Sequence, residues 1–432
     1  MAAVEGVAAL YDDERRRIEV ESGTSDPDEM PTATGRAYKK LGKRADRARS
    51  MAGRRNILSI AATDGMGIDG ADLDARPWLL PCANCVVDLK TGEARPGRPE
   101  DYLLRATPTE WRGIDEPCPR FELFNFEVFD GDQELIAFDQ RFWGSTIVGE
   151  VREHVIAFLI GSKGRNGKSS KTETLGSVLG DLAGPIRAEM LLDSGYVKNS
   201  AGPSPDIMGL RGLRLAYASE TEERAKLSPG RIKWLTGGDT LRGRNPHDKF
   251  DQLFQPAHSL VLLTNNAPHV SADDTAFWAR CLVIPYHLSF VENPVEPFER
   301  KADPDLPEKL RQEASGILAW LVRGCLIWQR DGLNPPEVVR AAVADYRRDE
   351  DLLGDFVDEC LEADPEAVAG VRAAELFNIF ESWWTLNVSK NPPKQRRFSQ
   401  LLRRRFRCEK KGVYFFYGLR IKPDALTLDG GL

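Results

Sequence analysis

From residue 1 to about 60, apolar positions recur at helical spacing among charged ones, which predicts helices. Residues 70–120 read as short strands and turns, with Asp88-Leu89-Lys90-Thr91-Gly92 between an apolar run and a Pro/Gly-rich loop. A helical pattern returns from about Gly131 to Gly149 through Leu135, Ile136, Phe138, Phe142 and Trp143. Apolar strands and helices then alternate: Val155 to Ile160, Ser169 to Leu179, Leu213 to Ala218, Ile232 to Leu235 and Leu260 to Leu263. That order predicts a sheet covered by helices, an α/β domain. A helical stretch from Pro307 to Gln329 follows, and helices continue from Pro335 to about Asn387. The chain closes with a basic helix, Gln395 to Phe406, and a strand pair centred on Gly418, Val413 to Ile421. The expected division is a basic helical segment over 1–60, an α+β accessory domain over 61–130, an α/β core over 131–334 and a C-terminal module over 335–432.

Composition narrows the class. The 432 residues suit about three domains at roughly 150 residues each, and 41% apolar against 29% charged residues supports ordinary cores. No apolar run approaches the ~20 residues of a membrane-spanning helix, and the N-terminus lacks the basic start and cleavage site of a secretory signal. Seven scattered cysteines, an odd number, fit a reducing cytoplasm. Cys82 and Cys85 form one CxxC with no second pair or histidine at zinc spacing, so no metal is assigned to them. The five histidines show no paired spacing, and Phe380, Trp383 and Trp384 stand at the spacing of core residues.

The formal net charge of −7 argues against nucleic acid until the chain is divided. Between Leu386 and Pro423 twelve Lys or Arg face the single acid Glu409, so that segment carries +11 and the remainder −18.

Ser162-Lys-Gly-Arg-Asn-Gly-Lys-Ser169 joins the strand-like Val155 to Ile160 to a helix. A Walker A loop needs that junction, because backbone N–H groups wrap the phosphates while a helix N-terminus faces their charge. Gly164 and Gly167 let the backbone approach, with Arg165 and Asn166 between them. Lys168 is placed to reach the β- and γ-phosphates and Ser169 to ligate Mg²⁺, and Ser162, Arg165, Asn166 and Ser170 complete the expected nucleotide-binding set. Ser162 stands where Gly or Ala is usual.

Hydrolysis asks further for a metal-organising acid, a group that orients water and a cation for transition-state charge. Leu213-Arg-Leu-Ala-Tyr-Ala-Ser-Glu220-Thr-Glu222 ends an apolar strand in acids: Glu220 is the preferred Mg²⁺-organising residue and Glu222 the supporting one. Leu260-Val-Leu-Leu-Thr264-Asn265-Asn266 ends another strand in amides, of which Asn265 is the candidate for holding water; capping of the turn before Pro268 is the competing reading. Arg280, just before the strand Cys281 to Pro285, is either an arginine finger into a neighbouring subunit or a surface charge.

Taken in order, these blocks resemble the superfamily-3 helicases, specifically the helicase region of phage and plasmid primase-helicases related to the poxvirus primase-helicase. Asn166-Gly-Lys-Ser matches that family's Walker A, Ala218-Ser-Glu220-Thr-Glu222 its Walker B and Thr264-Asn265 its sensor 1. Lys233-Trp-Leu-Thr236-Gly237-Gly238-Asp239-Thr-Leu-Arg242 matches the intervening motif, and Asp274 through Trp278 with Arg280 and Ile284-Pro285-Tyr286 the arginine-finger segment. Residues from about Pro77 to Thr107 are similar to the domain that precedes such helicases, and about Phe356 to Lys422 to the winged-helix module that follows them.

The resemblance implies an AAA-like P-loop ATPase core with ATP and Mg²⁺ as cofactors, assembled as a homo-oligomeric ring, most often a hexamer. It implies a DNA hairpin near the Thr-Gly-Gly-Asp block, where Arg242, Arg244 and Lys249 would meet phosphates, although a surface hairpin is the plain alternative. Arg396, Arg397, Arg403 and Arg404 fall opposite Phe398, Leu401, Leu402 and Phe406, as on a recognition helix. Only about 70 residues precede the resemblance and they show no acid pair on a strand pattern, so no primer-synthesis site is expected in this chain; a separate primase is an expected partner class. The function expected is ATP-dependent DNA unwinding in phage or plasmid replication. A non-unwinding origin-binding initiator is the alternative, and a P-loop small-molecule kinase is disfavoured by the basic tail.

Overall fold

Helical spacing at the start of the chain is realised as α1 (Ala2–Ser22), α2 (Thr32–Arg49) and α3 (Met51–Thr63). The computed structural model describes residues 2–63, 70, 72–161, 163–193, 202–219, 226–364, 369–388, 390, 392–403 and 405–426. It divides into the units Met1–Leu73 and Asp74–Leu432. Within the first, Arg15 lies over the Tyr38 ring at 4.3 Å and Arg49 reaches Asp12 at 2.6 Å, joining α1 to α2. Arg36, Lys39, Lys40, Lys43, Arg44 and Arg47 are exposed, so the basic stretch is a solvated face.

The second unit begins with β1 (Leu79–Pro81), β2 (Val86–Asp88) and β3 (Ala94–Arg95), an antiparallel meander. Two helices follow, α4 (Pro119–Val128) and α5 (Gln133–Ser145), the latter N-capped by Asp132. Next come β4 (Ile156–Ile160), α6 (Lys168–Leu179), β5 (Ala183–Pro185), the single turn α7 (Pro205–Met208) and β6 (Leu215–Ser219). Helix α8 (Pro229–Leu235) leads to a hairpin of β7 (Leu241–Gly243) and β8 (Gln252–Phe254), then β9 (Ser259–Thr264), the turn α9 (Thr275–Trp278) and β10 (Cys281–Pro285).

The central sheet is parallel throughout, in the order β10-β4-β9-β6-β5. Ile-Ala-Phe-Leu-Ile of β4 is apolar at every position because this strand is covered on both faces. The alternation of strand and helix thus yields the expected α/β core, with a sheet order suited to a P-loop site at its carboxyl edge. The short β5 lies outside the strands that the sequence pattern identifies.

After β10 run β11 (Ser289–Val291), β12 (Glu299–Lys301), α10 (Leu306–Gln312), α11 (Ala314–Asp331) and α12 (Glu337–Asp349). One hydrophobic core joins Leu80, Val87 and Trp111 to Phe121, Leu175 and Trp320, so packing runs straight across residue 130. Tyr346 of α12 packs edge-on against Phe158 and Trp278, so α12 belongs with the sheet.

The C-terminal part comprises α13 (Leu352–Cys360), β13 (Leu361–Ala363), β14 (Val371–Arg372), α14 (Ala373–Asn387), α15 (Gln395–Leu402), β15 (Arg407–Lys411), β16 (Val413–Tyr417), β17 (Leu419–Ile421) and α16 (Pro423–Leu426). Its own core stacks Phe380 on Phe398 at 4.5 Å, with Phe356 edge-on to both and Trp383 edge-on to Phe356. Two expectations are corrected. The basic helix ends at Leu402 because the backbone from Arg407 onward is committed to pairing with Tyr417, so Arg403 caps α15 and Arg405 and Arg407 leave its face. The strands flanking Gly418 do not pair with each other: β16 pairs with β15 about Gly412, and β17 crosses to β13. Gly418, at φ +79°, is the pivot between the two sheets.

Helices α5 and α11 meet backbone to backbone. A Cβ on Gly324 would lie 2.2 Å from Gln140 O, and one on Gly144 2.3 Å from Cys325 N. Gly324→Ala is therefore expected to destabilise the Asp74–Leu432 unit by about 3 kcal/mol, the upper end of ordinary overpacking, in denaturant unfolding. Gly230→Ala, with nothing within 4 Å of its new methyl, should unfold at or above the wild-type midpoint.

Candidate functional site

Where β4 ends, the chain turns through the phosphate-loop sequence into α6. Gly161 leaves the sheet with its Cα against neighbouring atoms: an added Cβ would sit 2.2 Å from Asn166 Nδ2 and 2.5 Å from Tyr286 O. Asn166, buried, donates from Nδ2 to Gly161 O at 3.0 Å and so ties the loop's end to its start. Gly164, Arg165 and Gly167 take positive φ (67°, 47° and 85°), which curls the backbone around a concave centre. The outer rim is held by β11, with Phe290 N donating to Arg165 O at 2.8 Å and Ser289 Oγ to Gly164 O at 3.2 Å. Gly167 caps α6 with no side-chain partner, so the helix's first N–H groups remain available to an anion.

Lys168 is the centre of the site. It is 5% exposed, and its Nζ donates to Gly161 O at 3.1 Å and to Asn265 Oδ1 at 3.0 Å. Both acceptors are neutral, and burial lowers its pKa to about 8. A buried ammonium whose partners among the described residues carry no charge is matched to an anion. Asn265 comes from the end of β9, whose Thr264 is in register with Ile160, so sheet pairing alone delivers the amide to the lysine. Ser169 is exposed and Ser170 half-buried in the first turn of α6, beside a cleft of about 520 Å³. The far walls of that cleft are Leu123 and Phe124 of α4, Phe290, and Leu306 of α10, and Arg120 bridges Glu127 at 3.1 Å and Asp303 at 3.4 Å along its edge. Mg·ATP fits these groups: a backbone cradle, a cation with neutral partners among the described residues, a hydroxyl on the helix start and an adjoining cleft.

The other predicted residues that the structure describes lie elsewhere. Arg280 precedes β10, at the edge opposite the loop; six residues of parallel strand at ~3.3 Å each put it about 20 Å from the phosphate loop of its own chain. Its Nη1 donates to Ala276 O at 3.0 Å. Arg242 and Arg244 stand on the β7–β8 hairpin and share Asp251, at 2.6 and 3.6 Å, while Lys249 and Phe250 are exposed near its tip. Arg396 and Arg397 are exposed on α15, and Arg403 lies 4.0 Å over the Tyr414 ring of β16. Arg372, Arg396, Arg403 and Tyr414 line one groove of about 920 Å³. Ser162, Glu220, Glu222 and Arg404 lie outside the described residues.

Comparison with known proteins bears on the same segments. The family "D5 N terminal like" matches residues 4–130, so the helical start and the strand meander fall in one family match. A helicase candidate of Acanthamoeba polyphaga mimivirus is 27% identical over 74% of this chain and 34% of its own length. A helicase candidate of Frog virus 3 (isolate Goorha) is 26% identical over 69% of this chain and 31% of its own. These matches support a D5-like primase-helicase family member. The chain spans about a third of the length of these curated relatives. A loose likeness is found to the apo structure of the NrS-1 C terminal region, with TM-score 0.45 and 13% identity over 81% of this chain and 76% of that one.

In this D5-like chain, the wall formed by α4 is absent from the sequence reading. Pro119 at the helix start and Phe121, Phe124 and Val128 at helical spacing carried the signal, and they matter because a Cβ on Gly167 would meet Val128 at 2.9 Å and Phe124 at 3.3 Å. No helix among the described residues is long and apolar enough to cross a membrane.

The pH dependence follows from Lys168. Its protonated form meets phosphate, and in the free protein it loses that proton near pH 8. If the loop binds triphosphate, kcat/KM for ATP is expected to be flat below about pH 7 and to fall toward tenfold per unit above pH 8, since kcat/KM reports the free protein's ionisations. A pH–rate profile from 6 to about 9.5 checks this; an unchanged kcat/KM at the alkaline end contradicts it.

Proposed function

We propose that the chain is a superfamily-3 type, ATP-dependent DNA helicase acting in phage, plasmid or viral DNA replication, and that it works as a homo-oligomeric ring, most often a hexamer, in the cytoplasm. The observation that carries the nucleotide part is the buried Lys168 ammonium, held by neutral oxygens at the mouth of a glycine cradle. The helicase names of the viral relatives support the rest.

Bound Mg·ATP supplies the phosphoanhydride whose cleavage drives the cycle. Lys168 neutralises the β- and γ-phosphates, and Ser169 with Glu220 holds the metal. Asn265, now on Lys168, orients water. Ser219, the last described residue of β6, is in register with Leu263 of β9, which supports Glu220 and Glu222 as acids at the loop's edge of the sheet. The position of Arg280 removes it from its own chain's loop, which supports a role in the next subunit's site.

DNA contact is assigned to the β7–β8 hairpin and the C-terminal part. Surface ion pairs such as Arg242–Asp251 are weak and exchange readily for phosphate, and Phe250, 80% exposed, offers a face for a base. The succession of α13, α14 and α15 with the β15–β16 hairpin supports a winged-helix reading, with Arg396, Arg397, Arg403 and Arg404 on the duplex side. A separate primase is the partner class that would supply primers.

Strand displacement on a forked DNA, beside ATPase with and without single-stranded DNA, tests the reading. Wild type is expected to displace and Lys168→Ala to do neither. Arg280→Ala should bind ATP normally and lose about 10³-fold in DNA-stimulated turnover, the scale of an arginine finger; normal turnover removes the trans role. A wild type that binds DNA and assembles with ATP but never displaces a strand would establish the initiator reading instead.

A further inference from the structure

Beneath the phosphate loop lies a second lysine. Lys171 follows Lys168 by three positions on α6, and its Nζ sits 2.5 Å from Asp139 Oδ2 of α5, both side chains being 0% exposed. The other carboxylate oxygen, Oδ1, accepts from Trp143 Nε1 at 2.9 Å, and the ammonium lies 4.6 Å from the centre of the Phe129 ring. That ring packs 5.4 Å from the ring of Tyr286, whose backbone N donates to Ile160 O at 2.7 Å, one residue before the loop. A single ion pair is therefore packed among α5, α6 and the segment leaving β10, which together frame the loop.

Its cost is plain. Burial lowers the pKa of Lys171 and raises that of Asp139, and each is opposed by the other's charge. Taking two ions out of water consumes most of what their attraction returns, so apolar side chains of similar volume serve stability as well or better. Stability does not account for this pair. What a short charge-assisted contact adds is direction: it fixes the rotation of α6 against α5, where apolar surfaces tolerate slippage. Lys171 cannot reach a ligand itself, being wholly enclosed. The same helix, however, begins with Lys168 and Ser169, and their alignment with Gly161 and Asn265 depends on that rotation.

We infer that Asp139 and Lys171 form a positioning pair for the phosphate loop, setting the orientation of α6 that aims Lys168 and Ser169 at the nucleotide's phosphates. This rests on the nucleotide reading proposed above.

The test uses the full chain with both charges replaced by apolar groups of similar size, Asp139→Leu with Lys171→Met. Melting temperature, equilibrium ATP binding, kcat and KM are measured beside wild type. A melting temperature at or above wild type is expected, with ATP bound about tenfold more weakly and kcat/KM reduced about 10²-fold, the scale of a 1 Å misplacement at a reacting centre. Wild-type ATP affinity and kcat/KM in that variant overturn the inference and leave a structural pair. A folded wild type that binds no ATP overturns the nucleotide reading itself, and this inference with it. Where the double variant does not fold, Lys171→Arg keeps the charge on a differently shaped arm: reduced kcat/KM at an unchanged melting temperature supports positioning, and unchanged kcat/KM overturns it.

Discussion

An ammonium group withdrawn from water and met, among the described residues, by neutral oxygens is the constraint around which the Asp74–Leu432 unit is arranged. Lys168 reaches Gly161 O and Asn265 Oδ1 because β4 and β9 are parallel neighbours that end at the same level, Ile160 beside Thr264. The loop's positive-φ residues, the Asn166 tie and the rim from β11 each keep that cation at the bottom of a cradle. Helix α4 presses Val128 and Phe124 toward Gly167, so even the element preceding the sheet contributes to the shape of the site.

Charge is distributed with the same logic at a larger scale. The sheet's carboxyl edge holds the glycine cradle, while within the Asp74–Leu432 unit exposed cations stand on the β7–β8 hairpin and around α15 and the β15–β16 hairpin. A chain of net −7 thereby carries a mildly basic β7–β8 hairpin and a strongly basic C-terminal surface. Asp251 partly neutralises the first, holding both Arg242 and Arg244, and aromatic rings carry the second, with Arg403 over Tyr414 and Lys411 5.2 Å from the Tyr417 ring. Both arrangements keep cations ordered yet exchangeable, since neither an exposed ion pair nor a surface cation–aromatic contact binds them strongly.

Much of this was legible in the order of residues. The strands β4, β6, β9 and β10, the helices α6 and α11 and the whole phosphate loop follow from apolar runs and glycine spacing, which are local signals. What escaped was set by contacts distant in sequence. Helix α4 was hidden because its aromatic residues adjoin a region of strands and turns. The β15–β16 hairpin was misplaced by six residues because two glycines, Gly412 and Gly418, are equally fit for a turn, and only pairing with β13 and β14 decides between them. The pairing of Lys171 with Asp139, 32 positions apart, has no local signal and exists only where the fold brings α5 and α6 together.

By itself, then, the sequence determined that a glycine-rich loop of Walker A pattern joins a strand to a helix, that the surrounding domain alternates strand and helix, and that positive charge collects near the C-terminus. These depend on neighbours within a few residues, where backbone sterics and side-chain period act directly. Only the tertiary structure decided which amide meets Lys168, that Arg280 stands some 20 Å from the loop of its own chain, and that an ion pair lies enclosed beneath the loop. Those outcomes depend on which strands become neighbours and which helix faces meet, and burial of apolar surface selects them over the whole chain at once.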